Sequence, residues 1–558
     1  MNDGIKKGFQ KIQITKGDQK KKGKAKLAAL STQKLSIKLI SVTVSAIICG
    51  AANFNIPSAF ADENNLHLPA RMHPGSAQGS YTRMFPDLPS FAEPSEGVRE
   101  QLKRLGQQGG LMDAMDNLSD PIQSIVNPAV FSPHNPDNPT ETAGMTFFGQ
   151  FLDHDITLDP KSDLLKLADP KRTTNFRTPA FDLDSLYGGG PEDSSELYDA
   201  SSGDILFKIE PIPRSETMSR NGAVRYDVPR DTKNVAIIGD SRNDEHLILN
   251  QFHLAMLRFH NAVVQRLRAD PAHTDWSAEQ VFKKAQRQVR WHYQWIILHE
   301  FLPLAIGQDR VTQLLDAPAP RRNVRIPIEF SAAAFRYGHS QVRPSYRVNF
   351  GPNGGTPHFA FVFDDAIDPN DPDPADLRGG KRAPRRFVDW QTFFDFGDGK
   401  FRPNKKIDTK LSSELMRLPG SRAPSPGLPG DGVQSLASRN LMRHVNFGLP
   451  SGQAIAERLG VPALTPAQLS ELKDYDLDKS TPLWFYVLKE AEVMEGGLRL
   501  GPVGAHIVGK VFIDLLKADQ SSYLATKPNW KPVLPSATPG EFRIVDLLKF
   551  AGVVPPLN

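Results

Sequence analysis

Helical periodicity is the feature of this sequence that most restricts its fold. In the segment DEHLILNQFHLAMLRFHNAVVQRLRA (244–269), apolar side chains recur at three- and four-residue steps, the spacing of one face of an α-helix. Three further segments share this pattern: AEQVFKKAQRQVRWHYQWIILHEFLPLAI, PLWFYVLKEAEVM and VGAHIVGKVFIDLLKA. Alternating strand patterns are few and short, and FRYGHSQVRPSYRV is the best of them. The sequence therefore predicts a mainly α protein with few short strands and long loops.

The N-terminal 61 residues have the order of a secretory signal. They contain 11 lysines and two acidic residues, then the apolar run LISVTVSAIICGAANF and the small-residue stretch PSAFA before Asp62. We predict a signal peptide over 1–61, an N-terminal arm over 62–95 and the main domain over 96–558. The mature protein is expected to be secreted, in the periplasm or outside the cell. Removing the signal changes the formal net charge from +4 to −5, which argues against nucleic-acid binding.

Cysteine usage and hydropathy limit the chemistry further. The only cysteine, Cys49, lies inside the predicted signal, so the exported chain would have no disulfide and no thiolate ligand. No later segment is long and apolar enough to span a membrane. Proline- and glycine-rich segments between Asn349 and Gly432 are typical of surface loops within one large domain. The sequence carries no indication of the oligomeric state.

The segment FFGQFLDHDITLDP (147–160) places ionisable residues in an apolar background. On helical spacing, Gln150, Asp153 and His154 project from one face, and Asp155 points about a quarter-turn away. An amphipathic helix with its polar side in water would explain such a cluster in isolation. The two directions are also compatible with a helix that serves two sites at once.

Two other segments carry groups that suit cofactors. TPAFDLDSLYGG brings together hard oxygen donors at alternating positions, Thr178, Asp182 and Asp184, and oxygen donors are the ligands of calcium. FRYGHSQVRP contains His339 beside a small residue, which would allow close approach to a flat cofactor.

The segment GDSRNDEHLILNQFH leads into the long predicted helix. Arg242, Glu245 and His246 are expected on one face at its start, and ordinary acidic capping beside a surface arginine is the structural alternative. Further along, His253 and His260 are seven residues apart, which is too far for one metal ion. They are expected to be core histidines bonded to neighbours.

Together, QFLDHD, TPAFDLDSLYGG, GDSRNDE and FRYGH resemble the animal-type haem peroxidase superfamily, the peroxidase–cyclooxygenase family, in one of its secreted bacterial branches. The resemblance covers nearly the whole mature chain. It implies an animal haem peroxidase-like helical domain with haem b and calcium as cofactors. It also implies reduction of hydrogen peroxide and oxidation of a small donor: halide, thiocyanate or phenols.

The resemblance implies roles at matching positions on both sides of the haem. On the peroxide side these are His154 as the distal histidine, Gln150 as the distal glutamine, Arg242 as the distal arginine, and Asp153 and Glu245 as carboxylates that can form esters to the haem. A third bond, which some members make through methionine, is not expected because His246 holds that position.

On the other side, His339 matches the iron ligand and Asn440 its hydrogen-bond partner. Arg336 is expected beside the cofactor. The resemblance also implies a calcium site whose ligands are Asp155, Thr178, the Ala180 carbonyl, Asp182 and Asp184.

Two other functions remain open at this stage. Fatty-acid dioxygenases of the superfamily use a tyrosine three residues before the proximal histidine, whereas this chain has Arg336 there and Tyr337 one residue closer, as in the peroxidases. A non-catalytic adhesion or matrix protein with the same fold is disfavoured because His154, Arg242 and His339 are all present.

Overall fold

The fold is seen in a computed structural model that describes residues 79–127, 132–320, 323–364, 366–419 and 433–554. The predicted signal peptide and residues 62–78 of the predicted arm lie outside these ranges. All described residues belong to one compact unit. Within the described ranges, no helix combines the length and apolar character needed to cross a bilayer.

The fold is mainly α-helical, as the periodicity predicts. In the described ranges, the α-helices of seven or more residues are α1 Glu96–Gly106, α2 Gly144–Ile156, α3 Leu247–Ala269, α4 Ala278–Ile296, α5 Gln308–Asp316, α6 Leu436–Asn446, α7 Gly452–Leu459, α8 Leu483–Glu495, α9 Pro502–Ala518 and α10 Ile544–Phe550. The four periodic segments form α3, α4, α8 and α9. Shorter helical turns lie at Gln123–Val126, Asp184–Tyr187, Gly190–Asp193, Leu302–Ile306, Ile328–Ser331 and Tyr523–Thr526.

The strands of the described ranges are short and form two-stranded antiparallel sheets. The pairs are β1 Gly79–Ser80 with β3 Thr174–Asn175, β2 Asp137–Thr142 with β8 Pro403–Lys405, β4 Glu210–Pro211 with β5 Tyr226–Asp227, and β6 Ser345–Asn349 with β7 His358–Phe361. The strand prediction for FRYGHSQVRPSYRV is wrong in its first half, because Ala334–Gln341 forms a 3-10 helix. That helix packs against α2, α8 and α9, and tertiary packing overrides a weak local alternation.

Helices α2, α3 and α4 pack in succession through the core. Phe148 and Phe151 of α2 meet Phe252 of α3 with ring centroids 5.6 and 5.2 Å apart. Both also pack edge-on against Tyr293 of α4. Since all four rings are fully buried, α2 is held on both sides, and its polar side chains have fixed positions.

The start of α3 differs from the prediction. Arg242, Glu245 and His246 do not share a helical face, because Ser241–Asp244 forms a separate 3-10 turn and His246 has extended backbone, with φ at −149°. His246 is instead the N-cap of α3, and its Nδ1 accepts a hydrogen bond from the Leu249 amide at 3.3 Å.

Residues 79–95, the described part of the predicted arm, pack into the main body. Strand β1 pairs with β3, and Phe85 and Phe91 belong to the main hydrophobic core. The buried carboxylate of Glu329 accepts the backbone amides of Met84 and Phe85. This segment is therefore anchored by both apolar contacts and hydrogen bonds.

Candidate active site

Helix α2 presents its polar residues in two directions, as the sequence suggests. His154 bonds to Asn243, in the turn before α3. Asp155 instead accepts hydrogen bonds from the Leu183 amide, the Ser185 hydroxyl and the Tyr293 hydroxyl. Two neighbouring residues of one helix thus reach two separate clusters.

A chain of three side chains sets the tautomer of His154. The His154 Nδ1 lies 2.9 Å from the Asn243 Oδ1, which can only accept, so Nδ1 carries the proton. The Asn243 Nδ2 donates to the Nδ1 of His253 at 3.0 Å. His154 Nε2 is left without a hydrogen-bond partner in the described ranges, and it is not enclosed. Burial and then the positive charge of Arg242 lower the pKa of His154 to about 3, so the ring is a neutral base.

Sequence reasoning missed Asn243, although it lies inside the GDSRNDE motif. It did predict correctly that His253 and His260 are core histidines. His253 bonds to Asn243, and His260 bonds to the Tyr187 hydroxyl and the Ile205 carbonyl.

A second chain fixes the distal glutamine. His246 accepts at Nδ1, so its Nε2 carries the proton and donates to the Gln150 Oε1 at 2.9 Å. The Gln150 Nε2 then donates to the Glu245 Oε2 at 3.2 Å. The helix cap of α3 thereby determines which atom of the Gln150 amide faces Glu245.

Arg242 is held by a carboxylate that sequence reasoning did not single out. Its Nη2 and Nε donate to Asp240 at 2.8 and 3.2 Å. Nη2 also donates to the carbonyls of His154 at 3.1 Å and Thr157 at 2.7 Å, at the end of α2. Arg242 is therefore neither a free surface arginine nor a flexible one, and its guanidinium is fixed relative to His154.

Arg177 binds the same carboxylate from the other side. Its Nε donates to the Asp240 Oδ2 at 3.0 Å, and its Nη1 lies 3.4 Å from the Asp184 Oδ1. Burial by itself would raise the pKa of Asp240, but Arg177 and Arg242 outweigh burial and lower it well below its ordinary value. Asp240 is therefore ionised and shared by two guanidinium groups.

Three carboxylates form the cluster that Asp155 faces. Carboxylate oxygens of Asp155, Asp182 and Asp184 all lie within 4.8 Å of one another. Burial raises the pKa of Asp155 and Asp182, the latter to about 7, and repulsion from neighbouring carboxylates adds to the effect. The Thr178 amide donates to Asp184 at 3.0 Å, and Ala180 lies in the same loop. Oxygen donors that repel each other in a dry setting fit a divalent cation such as calcium.

His339 lies in the 3-10 helix and contacts the predicted partner. Its Nδ1 is 2.7 Å from the Asn440 Nδ2, and the Asn440 Oδ1 accepts from the Arg336 Nη1 at 3.2 Å. An iron-binding imidazole would favour the opposite polarity, with the amide oxygen facing the ring to accept its Nδ1 proton. The difference follows from Arg336, whose guanidinium can only donate and therefore draws the oxygen to itself. A 180° turn of the amide would exchange the two atoms.

Six of the polar residues predicted at the haem are half-buried, whereas His154 and Asn440 are buried. The six half-buried residues are Gln150, Asp153, Arg242, Glu245, Arg336 and His339. Asp153 and Glu245 both raise the pKa of Arg242, after the larger effect of Asp240. The motif residue Arg242 is therefore a cationic neighbour of both carboxylates.

Part of the proline- and glycine-rich sequence between Asn349 and Gly432 packs against the start of α3 and does not form a surface loop there. The Leu247 amide donates to the Leu377 carbonyl at 2.8 Å, and the Gly379 amide donates to the Glu245 carbonyl at 2.8 Å. A Cβ on Gly379 would stand 1.5 Å from the Asp244 carbonyl oxygen, so only glycine allows this approach.

Comparisons with known proteins identify the family of this chain. A family model described as animal haem peroxidase matches residues 161–525. The chain belongs to the animal haem peroxidase family. The match includes Arg242, His339 and Asn440 and begins just after α2. Family membership implies haem binding.

Individual relatives are distant. Thyroid peroxidase of Homo sapiens is 26% identical over 381 residues, which cover 62% of this chain and 38% of that protein. Peroxidase-like protein of Margaritifera margaritifera is 25% identical over 495 residues, which cover 75% of this chain and 59% of that protein. The chain thus spans less than two thirds of the length of each of these relatives. Among solved structures, peroxidase A from Dictyostelium discoideum superposes with a TM-score of 0.51 at 19% identity, over 85% of this chain and 93% of that one. It shows a shared fold.

The residues present fit a haem. The Nε2 atoms of His154 and His339 are both accessible and have no hydrogen-bond partner in the described ranges, while each Nδ1 is engaged by an asparagine. An imidazole held through Nδ1 leaves Nε2 for a ligand or a proton. With the amide of Asn440 turned, His339 would carry its proton on Nδ1 and could bind iron.

Proposed function

We propose that this protein is a secreted haem peroxidase that reduces hydrogen peroxide and oxidises a small donor: a halide, thiocyanate or a phenol. The observation that carries the proposal is the hydrogen bond from His154 Nδ1 to Asn243 Oδ1, at 2.9 Å. It keeps Nε2 unprotonated, and the low pKa of this histidine keeps the ring neutral at physiological pH.

Haem would supply an iron centre that binds peroxide and exchanges electrons with it. His339 would hold the iron, and Asn440 would orient the imidazole. His154 Nε2 would take a proton from one peroxide oxygen and return it to the other. Arg242, fixed by Asp240, would stabilise negative charge that develops as the oxygen–oxygen bond breaks.

Calcium belongs to the proposal because of the acidic cluster. Asp155, Asp182 and Asp184 would bind the cation together with Thr178 and the Ala180 carbonyl. A bound ion would neutralise their mutual repulsion and fix α2, on which His154 lies next to Asp155.

Ester bonds from Asp153 and Glu245 to the haem are a further part of the proposal. Both carboxylates are half-buried beside Arg242. Acid–solvent extraction after peroxide treatment should leave haem on the protein. The retained fraction should fall stepwise in Asp153→Ala and Glu245→Ala, and complete release from wild type would contradict the linkage.

Secretion rests on the N-terminal sequence. Mass spectrometry of protein recovered outside the cytoplasm should give an N-terminus at or near Asp62. A mature protein that still begins at Met1 would contradict it.

The decisive experiment records the absorbance of the haem-loaded protein before and after hydrogen peroxide. His339→Ala should lose or misligate haem, whereas His154→Ala should keep it and react about 100-fold more slowly or worse. His299→Gln is a matched control, because that histidine bonds to the Tyr523 hydroxyl instead. No reaction in wild type would favour the non-catalytic alternative, and oxygen uptake with a fatty acid would favour the dioxygenase. Full turnover in His154→Ala would overturn the assignment of that residue.

A further inference from the structure

One cavity lies away from the predicted haem and calcium residues. It has a volume of about 140 Å³ and lies between α3, the start of β5, segment 387–390 and the chain after α10. Val224 lines it and is 48% exposed, so the cavity is close to solvent. None of the residues assigned above to haem or calcium lines it.

Arg258 of α3 lines this cavity without a counter-ion. Its guanidinium lies over the Tyr226 ring, with Cζ 4.9 Å from the ring centroid. In the part of the chain that the structure describes, it has neither an ion pair nor a hydrogen bond. Burial and the positive charge of Arg225 lower the pKa of Arg258. The side chain is half-buried, so a partly desolvated cation lines the cavity without a carboxylate partner in the described ranges.

Arg225 brings a second guanidinium to the same cavity. It pairs with Asp389 through Nη2 and lies over the Phe387 ring, 4.5 Å from Cζ to the centroid. Its buried Nε has no hydrogen-bond partner in the described ranges. Two guanidinium groups therefore line this cavity, and in the described ranges only that of Arg225 has a carboxylate partner.

We propose that the cavity binds a small organic carboxylate with a flat apolar body, of about the size of benzoate. A guanidinium group binds a carboxylate through two parallel hydrogen bonds, and Arg258 has both available. Tyr226, Phe387 and Trp390 supply aromatic walls for the apolar part. The size agrees, since a cavity of about 150 Å³ holds benzene. This site goes beyond the proposed peroxidase function and does not depend on it.

The test measures benzoate binding to the full haem-loaded protein by titration calorimetry, with the haem absorbance recorded in parallel. Wild type should bind at one site without a change in haem absorbance. Arg258→Gln should weaken benzoate binding at least tenfold. Arg258→Lys should have an affinity between those of wild type and Arg258→Gln, because lysine keeps the charge but cannot make two parallel hydrogen bonds. Arg268→Gln is the matched control, since Arg268 is an exposed arginine of the same helix, and it should bind as wild type does.

Several results would overturn the proposal. These are the absence of saturable binding at millimolar benzoate, equal affinity in Arg258→Gln, and equal affinity for the neutral analogue benzamide. Tighter binding of inorganic phosphate through Arg258 would show an oxyanion site and would also contradict it. Binding that shifts the haem absorbance and survives Arg258→Gln would belong to the haem site. None of these readouts requires reaction with peroxide, so failure of the proposed function would be seen separately.

Discussion

Arg177 and Arg242 bind one and the same buried carboxylate, that of Asp240. Arg177 also reaches Asp184 of the acidic cluster. An unbroken series of ion pairs therefore runs from the proposed calcium site to the guanidinium beside His154. The metal site and the peroxide site are connected through side chains as well as through α2.

Replacing Arg177 tests this connection. Arg177→Met would leave Asp240 and Asp184 with one fewer cation in a buried setting, a change that costs about 3–5 kcal/mol. We expect a lower Tm. We also expect a slower reaction of the haem protein with peroxide, because Asp240, which positions Arg242, would lose its other cationic partner. Arg177→Lys should be intermediate, and Arg268→Met should match wild type. An unchanged Tm and rate in Arg177→Met would refute the coupling.

Chelation tests the calcium cluster. Removing the ion should lower the Tm and change the haem absorbance together, because Asp155 and His154 are adjacent on α2. In Asp182→Asn the repulsion among the carboxylates is smaller, so chelation should lower the Tm by less than it does in wild type. Calorimetry and elemental analysis of the same sample provide the measurement. Active protein that contains no bound calcium would rule this site out.

Asn243 should act as the residue that orients the distal base. Asn243→Leu removes the acceptor for the His154 Nδ1 proton, so the ring loses both its orientation and its tautomer. Haem content should be retained while the reaction with peroxide slows by about 10- to 100-fold. Asn261→Leu is a suitable control, because that amide bonds to the backbone of Phe207. Stopped-flow absorbance distinguishes the two variants, and equal rates would contradict the role.

Asn440 should control the electron density of the iron ligand. Asn440→Asp supplies an acceptor in either orientation, so the Nδ1 proton of His339 gains a permanent carboxylate partner. A more electron-rich imidazole stabilises ferric iron, and the reduction potential measured by spectroelectrochemistry should fall below that of wild type. A reduction potential above that of wild type would show that the new carboxylate at position 440 pairs with Arg336 and not with the His339 ring.

Glu490 should make stability depend on pH. Its buried carboxylate accepts the amides of Val503 and Gly504 at the start of α9, and burial raises its pKa to about 7. The pKa of Glu490 is higher in the folded protein than in the unfolded chain. The contribution of Glu490 to the free energy of unfolding is therefore fully present below about pH 4.5 and is lost as the pH rises through 7. Glu490→Gln cannot ionise, so its Tm relative to wild type should increase between pH 5 and pH 8. A constant difference across this range would contradict the prediction.

Much of the fold was predictable because it depends on local periodicity. Apolar residues at helical spacing correctly gave α3, α4, α8 and α9, and the scarcity of alternating segments gave few strands. The motif residues were also visible, since residue types and short spacings are properties of the chain itself. The same is true of the two directions taken by His154 and Asp155 on α2.

Tertiary structure decided what those residues bind. Asp240 and Arg177 are 63 residues apart, and nothing local indicates that they meet. The 3-10 turn before α3, the proline-rich segment at Gly379 and the orientation of the Asn440 amide likewise depend on partners distant in sequence. A buried charge must find an opposite charge or a hydrogen bond, and only the packed chain determines which one is within reach.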